Sequence, residues 1–246
     1  MKWRYIPYRR YDPFFKLGLN KAAMESVSGG ANPLVWLSGW DQKTVNVGYS
    51  QQIEKRVNLE KAEKRGVKVV RRQGGGGTTF LDPDGEITWH MVAEQDYFPD
   101  DVNRIYSRVC GKIAEKLGEL GIEAEHEPVN DIVTENGKIS GATLKREEGV
   151  IYVAGTLLFE VDVEEMFELI NPEEGKKNDK QIDDYRQRVT SISQESGASF
   201  QEAREILKDA LLQGKDFEEE VWKEDEKQRA KHLANKYSSE EWLYRK

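Results

Sequence analysis

Residues 69–92 read VVRRQGGGGTTFLDPDGEITWHMV: two arginines and a glutamine, then four consecutive glycines, with strand-like sequence on either side. Glycine loses more conformational freedom on folding than any other residue, and a tight turn needs only one. Four of them predict a main chain that something approaches closely. A Walker phosphate loop ends in Gly-Lys-Ser/Thr, whereas Gly77 is followed by Thr78 and Thr79. A dinucleotide fingerprint opens directly into a helix, whereas TTFLDPDGEITWH lacks helical apolar spacing and carries breakers. Two readings remain: a strand–loop–strand whose backbone N–H groups line a pocket, and a flexible hairpin without a ligand. Arg71 and Arg72 favour the pocket.

Outward from this turn, LVWLSGW, TVNVGYS and VKVVRR on one side and EITWHMVAE on the other read as strands. Phe14–Ser28 has amphipathic helical spacing, with Phe15, Leu19, Ala22 and Ala23 inward. Val102–Gly121 repeats that pattern with Ile105, Val109, Ile113 and Leu117. Residues 131–162 are β-rich, punctuated by the turn signals ENG and EEG. The mixture predicts an α+β fold, a mixed and largely antiparallel sheet packed with helices. Composition shifts near Asn171. Residues 1–172 are expected to form the core, and residues 173–246 a charged helical segment packed on the same domain, because their apolar residues are too sparse for a second core. Residues 173–185, with EEGKKNDKQ, are expected to be mobile.

The 246 residues suffice for a sizeable core. A net charge of −8 excludes general nucleic-acid affinity, which needs a basic surface. No stretch approaches the roughly 20 apolar residues that span a bilayer. With no signal-peptide core either, a cytoplasmic location is expected. The single cysteine, Cys110, rules out an intramolecular disulfide framework, and helical register makes it a near-core residue. His90, His126 and His232 lack metal-ligand spacing and read as ordinary polar or core histidines. Lys145 and Arg146, followed by two glutamates, read as surface charge that could steer an acidic partner.

A second stretch, NDIVTENGKISGATLKREEGVIYVAGTLL at residues 130–158, places Lys138 after a turn and before Ser140-Gly141-Ala142, where its ammonium can project over a surface without bulky side chains. Taken together the two stretches resemble the lipoate–protein ligases of the biotin and lipoate ligase superfamily. The resemblance rests on Arg71, Arg72, Gly75, Gly76, Gly77 and Asp82, on Asn130-Asp131-Ile132 leading to Lys138-Ile139-Ser140-Gly141, and on Gly155-Thr156-Leu157-Leu158. It runs from about Trp3 to Trp242. Three positions depart from the usual pattern: Gly74 replaces a hydroxyl residue, and Leu81 and Ala154 stand where relatives often have histidine.

The resemblance implies a catalytic domain of the biotin/lipoate ligase type. It implies activation of lipoate by ATP and Mg2+ to lipoyl-AMP, then transfer to a lysine of an acceptor lipoyl domain, of a 2-oxoacid dehydrogenase or of the glycine cleavage H protein. A separate accessory ligase subunit is also implied, because the chain stops where the large catalytic domain would end. Lys138 would bridge carboxylate and α-phosphate. A cation about 4 Å away contributes roughly 4 kcal/mol at an effective dielectric of 20. Arg71, Arg72, Gly75, Gly76, Gly77, Thr78, Ser140, Gly141, Gly155 and Thr156 would line the site. Asn130 and Asp131 would hold the adenylate, with Asp131 the candidate Mg2+ ligand. Two alternatives share the scaffold: an octanoyl or lipoyl transferase, which needs a nucleophilic cysteine, and a non-catalytic lipoyl-binding subunit.

Overall fold

The computed structural model describes residues 1–171 and 188–245; the mobility expected of residues 173–185 lies outside them. Eleven strands are found among these residues. They are β1 (Lys2–Tyr11), β2 (Leu34–Trp40), β3 (Thr44–Val47), β4 (Lys68–Arg71), β5 (Thr79–Leu81) and β6 (Glu86–Glu94), then β7 (Glu125–Glu127), β8 (Asp131–Thr134), β9 (Gly137–Glu147), β10 (Val150–Leu158) and β11 (Asp216–Glu219). Eight build one sheet in the order β11-β1-β2-β6-β10-β9-β8-β7. The remaining three form a small sheet, β4-β3-β5. Pairing is antiparallel from β2 through to β7, and β1 runs parallel to both β2 and β11. The α+β expectation is met.

Helices cover both faces of the large sheet. The helix Pro13–Ser28 starts where Asp12 accepts hydrogen bonds from the Phe14 and Phe15 amides, with proline in the first turn. It packs with the helix Glu224–Tyr237 on one face, over Leu34, Trp36, Val92 and Ala154. The helices Val102–Leu117 and Phe200–Leu212 cover the other face, over Val35, Leu37, Trp89 and Met91. Asp101 caps the first of this pair, and a Ser199/Glu202 capping box opens the second. Trp36 and Trp89 are fully buried on opposite faces; burial of a tryptophan contributes about 4–6 kcal/mol. Because both faces are covered, β2 and β6 are buried on both sides, their polar Ser38, Glu86, Thr88 and His90 included.

The stretch after Asn171 holds more than helices. Asp216–Glu219 forms β11, a strand whose four residues are all exposed, paired in parallel with β1. Arg4 on β1 donates two hydrogen bonds to the Glu226 carboxylate, at 2.6 and 2.9 Å, and one to Glu220 at 2.7 Å. This buried cluster ties the first strand to the last long helix.

Candidate active site

The glycine turn leaves β4, crosses β3 and enters β5, because β3 lies between the two strands that the turn connects. It rests on the face of the large sheet covered by the helix Pro13–Ser28. A Cβ on Gly74 would lie 2.9 Å from Thr143 Oγ1 on β9, so the departure from a hydroxyl residue at Gly74 follows from close contact. Gly76 has φ +92, open to glycine and strained for other residues. Its carbonyl oxygen would sit 2.0 Å from a Cβ on Gly48. Gly75 and Gly77 face open space.

The two arginines hold this turn from inside. Arg72 Nε and Nη2 donate to the Gly75 carbonyl at 3.1 and 2.8 Å, Nη2 also to Gly77 at 2.6 Å, and Nη1 to Asn46 at 3.0 Å. Burial pushes its guanidinium down to about 10, opposed by Tyr152. Arg71 is fully buried. Its Nη1 donates to the carbonyls of Gly48, Tyr49 and Gln51 at 3.0, 2.9 and 2.7 Å, and its Nε to Leu243 at 2.9 Å. Trp242 Nε1 returns a bond to the Arg71 carbonyl at 2.9 Å. The Arg71 guanidinium, expected to line the site, clamps main chain here. Thr78 Oγ1 donates to Gln51 Oε1 at 2.9 Å and fixes the far side of the turn.

Lys138 stands on β9, two-fifths exposed, with its Nζ 2.7 Å from Asp131 Oδ1 on β8. The space beneath it exists because residue 141 is glycine: a Cβ there would meet Lys138 Nζ at 2.7 Å. Gly141 and Thr143 share a strand face two residues apart, about 7 Å, so the ammonium and the glycine turn are neighbours on one surface. Register extends this surface across the sheet. Gly141 pairs with Thr156, Thr156 with Thr88, and Thr88 with Ser38. Lys138 main chain is held too, donating to the Arg188 carbonyl at 2.8 Å and accepting from the Thr190 amide at 3.0 Å.

Three further expected site residues lie within the sheet or tie its strands together. Ser140 is buried between core Ile139 and Gly141, its Oγ without a partner among the described residues. A Cβ on Gly155 would come within 2.4 Å of the Trp89 ring, so that glycine serves the core of the opposite face. Asn130 Nδ2 donates to the Ala142 carbonyl while the Ala142 amide donates to Asn130 at 2.9 Å, a strap between β8 and β9. Leu81 and Ala154 are both buried.

Two lysines near this surface do more than the sequence suggests: Lys145, read as surface charge, and Lys16, which the sequence reading did not single out. Lys145 Nζ donates to Gln73 Oε1 at 2.8 Å, so it props the start of the glycine turn as well as pairing with Glu147 at 3.1 Å. Lys16 is fully buried and donates to Ser38 Oγ at 2.6 Å and Thr88 Oγ1 at 2.9 Å. Thr88 in turn donates to the Glu86 carboxylate at 3.0 Å. Burial pushes Lys16 down to about 7 and Glu86 up to about 7, each partly offset by the other's charge. His90 shares hydrogen bonds with Ser38 at 2.7 Å and Tyr152 at 2.8 Å, and Trp36 stacks on its ring. The signal was present: Lys16 falls on the same helical stripe as Leu19, Ala23 and Val27.

Among the described residues no group of three or more histidine, cysteine or carboxylate side chains could hold a metal ion. No described helix is long and apolar enough to cross a membrane. Cys110 is fully buried in the helix Val102–Leu117, and burial pushes its thiol up to about 12.

The architecture is that of the lipoate ligase catalytic domains. The family model for the lipoyl protein ligase A/B catalytic domain matches residues 12–212, and the chain belongs to that family. Curated relatives include octanoyltransferase LipM of Brevibacillus brevis, 26% identical over 276 aligned positions that cover 100% of this chain and 99% of the relative. LipM of Macrococcus caseolyticus is 27% identical over 280 positions, covering 100% and 99%. Among solved structures, an archaeal lipoylation system from Thermoplasma acidophilum, a bi-partite lipoate protein ligase with its E2 lipoyl domain, superimposes with a TM-score of 0.90. The match is 25% identical and covers 100% of this chain and 98% of that one. Lipoate-protein ligase A bound with ATP gives a TM-score of 0.87 at 23% identity over 99% of both chains, a likeness of fold. The chain is an enzyme of the lipoate ligase and octanoyltransferase superfamily, whose chemistry is lipoate-related acyl transfer.

Proposed function

We propose that the chain is an AMP-forming lipoate–protein ligase. The observation that carries this reading is the ammonium of Lys138, held by Asp131 over the bare Gly141 and beside the glycine turn. Adenylation brings a carboxylate against a triphosphate, so its transition state gathers negative charge in a small volume. A fixed cation at that point offsets the repulsion and is worth most where water is excluded. The lipoate carboxylate oxygen would attack the α-phosphorus and the bond to pyrophosphate would break. The acceptor lysine amine would then attack the acyl carbon of lipoyl-AMP, releasing AMP. Lys138 stays in contact with carboxyl and phosphate oxygens through both steps, while Arg72 and Thr78 keep the turn in place. Mg2+, carried on ATP phosphates, neutralises charge when bound. Asp131, beside Lys138, would be the carboxylate to hold it, and a single carboxylate suits an ion keeping most of its waters.

The LipM relatives favour a second reading, octanoyl transfer from a preformed donor. That chemistry needs a thiolate in an accessible, electropositive site, and the sole cysteine is buried with its thiol pushed up to about 12. The acceptor would be a lipoyl domain. The bi-partite T. acidophilum ligase motivates an accessory subunit for the adenylation step.

The test is mass spectrometry of a lipoyl domain after incubation with lipoate, ATP and Mg2+, with and without an accessory ligase subunit. Acylation by wild type, lost in Lys138→Ala, is the expected result. A Lys138→Ala protein as fast as wild type overturns the assigned role. Transfer from an octanoyl thioester donor that disappears in Cys110→Ser would replace this reading with the transferase.

A further inference from the structure

The short helix Glu240–Leu243 sits against β4, the strand that enters the glycine turn. Ser239 Oγ starts it by accepting from the Trp242 amide at 3.2 Å. Trp242 is buried in a small apolar cluster with Leu233, Tyr237, Val70 and Leu81. Val70 lies on β4 and Leu81 on β5, so one indole packs against both strands that carry the turn. The seat is closely defined: the indole meets the Tyr237 ring edge-on at 5.2 Å and the Tyr49 ring at 5.9 Å, with the Lys236 and Arg245 cations 4.8 and 5.0 Å from its centre.

Two hydrogen bonds join this helix to Arg71. Trp242 Nε1 donates to the Arg71 carbonyl and Arg71 Nε donates to the Leu243 carbonyl, each at 2.9 Å. A buried cation must have its donors met, and bonds from a charged donor are the strong ones. The Leu243 carbonyl is one of four that accept from this guanidinium; the other three belong to the 48–51 loop. That loop holds the glycine turn in its own right. The Tyr49 amide donates to the Gly74 carbonyl at 3.0 Å, and Gln51 Oε1 accepts from the Gly48 amide at 3.0 Å and from Thr78 Oγ1 at 2.9 Å. The contacts are therefore unbroken from Trp242 through Arg71 and the loop to the turn. Lys138 is anchored elsewhere, by Asp131, the Arg188 carbonyl and the Thr190 amide.

We propose that Trp242 is a positioning residue, which through Arg71 and the 48–51 loop holds the glycine turn in the shape that receives the acyl substrate; the assignment rests on the turn lining that substrate's site. Because Lys138 is held independently, loosening this helix should cost substrate binding and spare turnover. Trp242→Phe keeps a ring in the seat and removes one hydrogen-bond donor, so lipoate affinity measured by calorimetry should weaken about fivefold while kcat stays within about twofold of wild type. Trp242→Ala, which empties the seat, should weaken it further. Hydrogen–deuterium exchange reads the same link without any activity. It should quicken about fivefold in Trp242→Phe at the Gly48, Tyr49 and Arg72 amides, all hydrogen-bonded at the base of the turn, and change less in β2 and β6. Trp3→Phe, a matched loss in the core of the opposite sheet face, should alter neither lipoate affinity nor that local exchange. Unchanged exchange at the three amides overturns the proposal, as do lipoate binding that neither Trp242 variant weakens, a fall in kcat at constant affinity, and a Trp3→Phe protein that reproduces the effect. A wild type that binds lipoate with an affinity Trp242→Phe lowers, yet acylates nothing, supports the role of Trp242 and refutes the ligase reading.

Discussion

Lys138 and Lys16 attend the same row of the same sheet face, yet the protein treats them in opposite ways. Lys138 reaches over Gly141 at one end, two-fifths exposed and paired with a single carboxylate. Lys16 comes down from a helix onto Ser38 and Thr88 at the other end, fully buried, 4.6 Å from the Trp40 ring. The first can turn towards an incoming anion, whereas the second has its hydrogen-bond partners fixed within the fold. A lysine on this face is therefore free to turn or held in place according to what lies beneath it: glycine leaves room, and hydroxyls and indole fill it.

The largest effect should come from Lys138→Ala. Loss of a cation aimed at transition-state charge is expected to slow acceptor modification by about 10²–10³-fold, with unfolding free energy within about 0.5 kcal/mol of wild type because the side chain is half-exposed. Paired rate and urea-unfolding measurements check both arms. Lys16→Met should invert the pattern, costing about 3 kcal/mol in denaturant unfolding because Glu86 is left buried without its cation. Lys16→Met combined with Glu86→Gln should recover most of that loss.

The same pair predicts a pH signature. Lys16 titrates near 7 in the folded chain, below its ordinary 10.5, so between those values the unfolded state holds more protons and stability rises with pH. Glu86 titrates near 7, above its ordinary 4.5, so between those values the folded state holds more protons and stability falls as pH rises. Wild type should show a trough near pH 7 in unfolding free energy measured from pH 5 to 9, and the double variant should lack it.

Smaller effects separate the glycines. Gly155→Ala forces a methyl into the Trp89 ring and should destabilise by about 1–3 kcal/mol. Gly141→Ala meets only the end of the Lys138 side chain, which can move, so it should spare stability and slow modification about tenfold by displacing the ammonium. Gly75→Ala enters open space and should shift the unfolding midpoint by less than about 0.5 kcal/mol; a larger loss would show the turn to be tighter than its geometry.

Much of this was legible in the sequence, for reasons the structure makes plain. The helix Val102–Leu117 carries a strong apolar stripe with a capping aspartate, and the EEG turn supplies the positive φ that Glu148 and Gly149 adopt between β9 and β10. Lys138, Gly141 and the glycine turn stood out because small residues are costly to a chain unless something needs the room. What was hidden depends on distant partners. Arg71 reads as a ligand contact until Leu243 and the 48–51 loop close around it. Gly155 reads as part of a motif until Trp89 fills its missing side chain. β11, with the sequence DFEE, has the charge of a helix face; only its place at the outer edge beside β1 makes it a strand.

That outer pairing also governs how the molecule can be made. β1 opens the sheet at Lys2, but its outer neighbour is β11, and the Arg4–Glu226 clamp joins residues 222 positions apart. Chain leaves the ribosome from the N-terminus at about 5–20 residues per second, so for roughly ten seconds or more the nascent β1 has no β11 to pair with. Contacts of such sequence separation form slowly, since loop closure precedes any gain from pairing. The sheet is thus sealed last where it was synthesised first, and the acidic, all-exposed β11 that completes it presents an outer edge poorly suited to recruiting another strand.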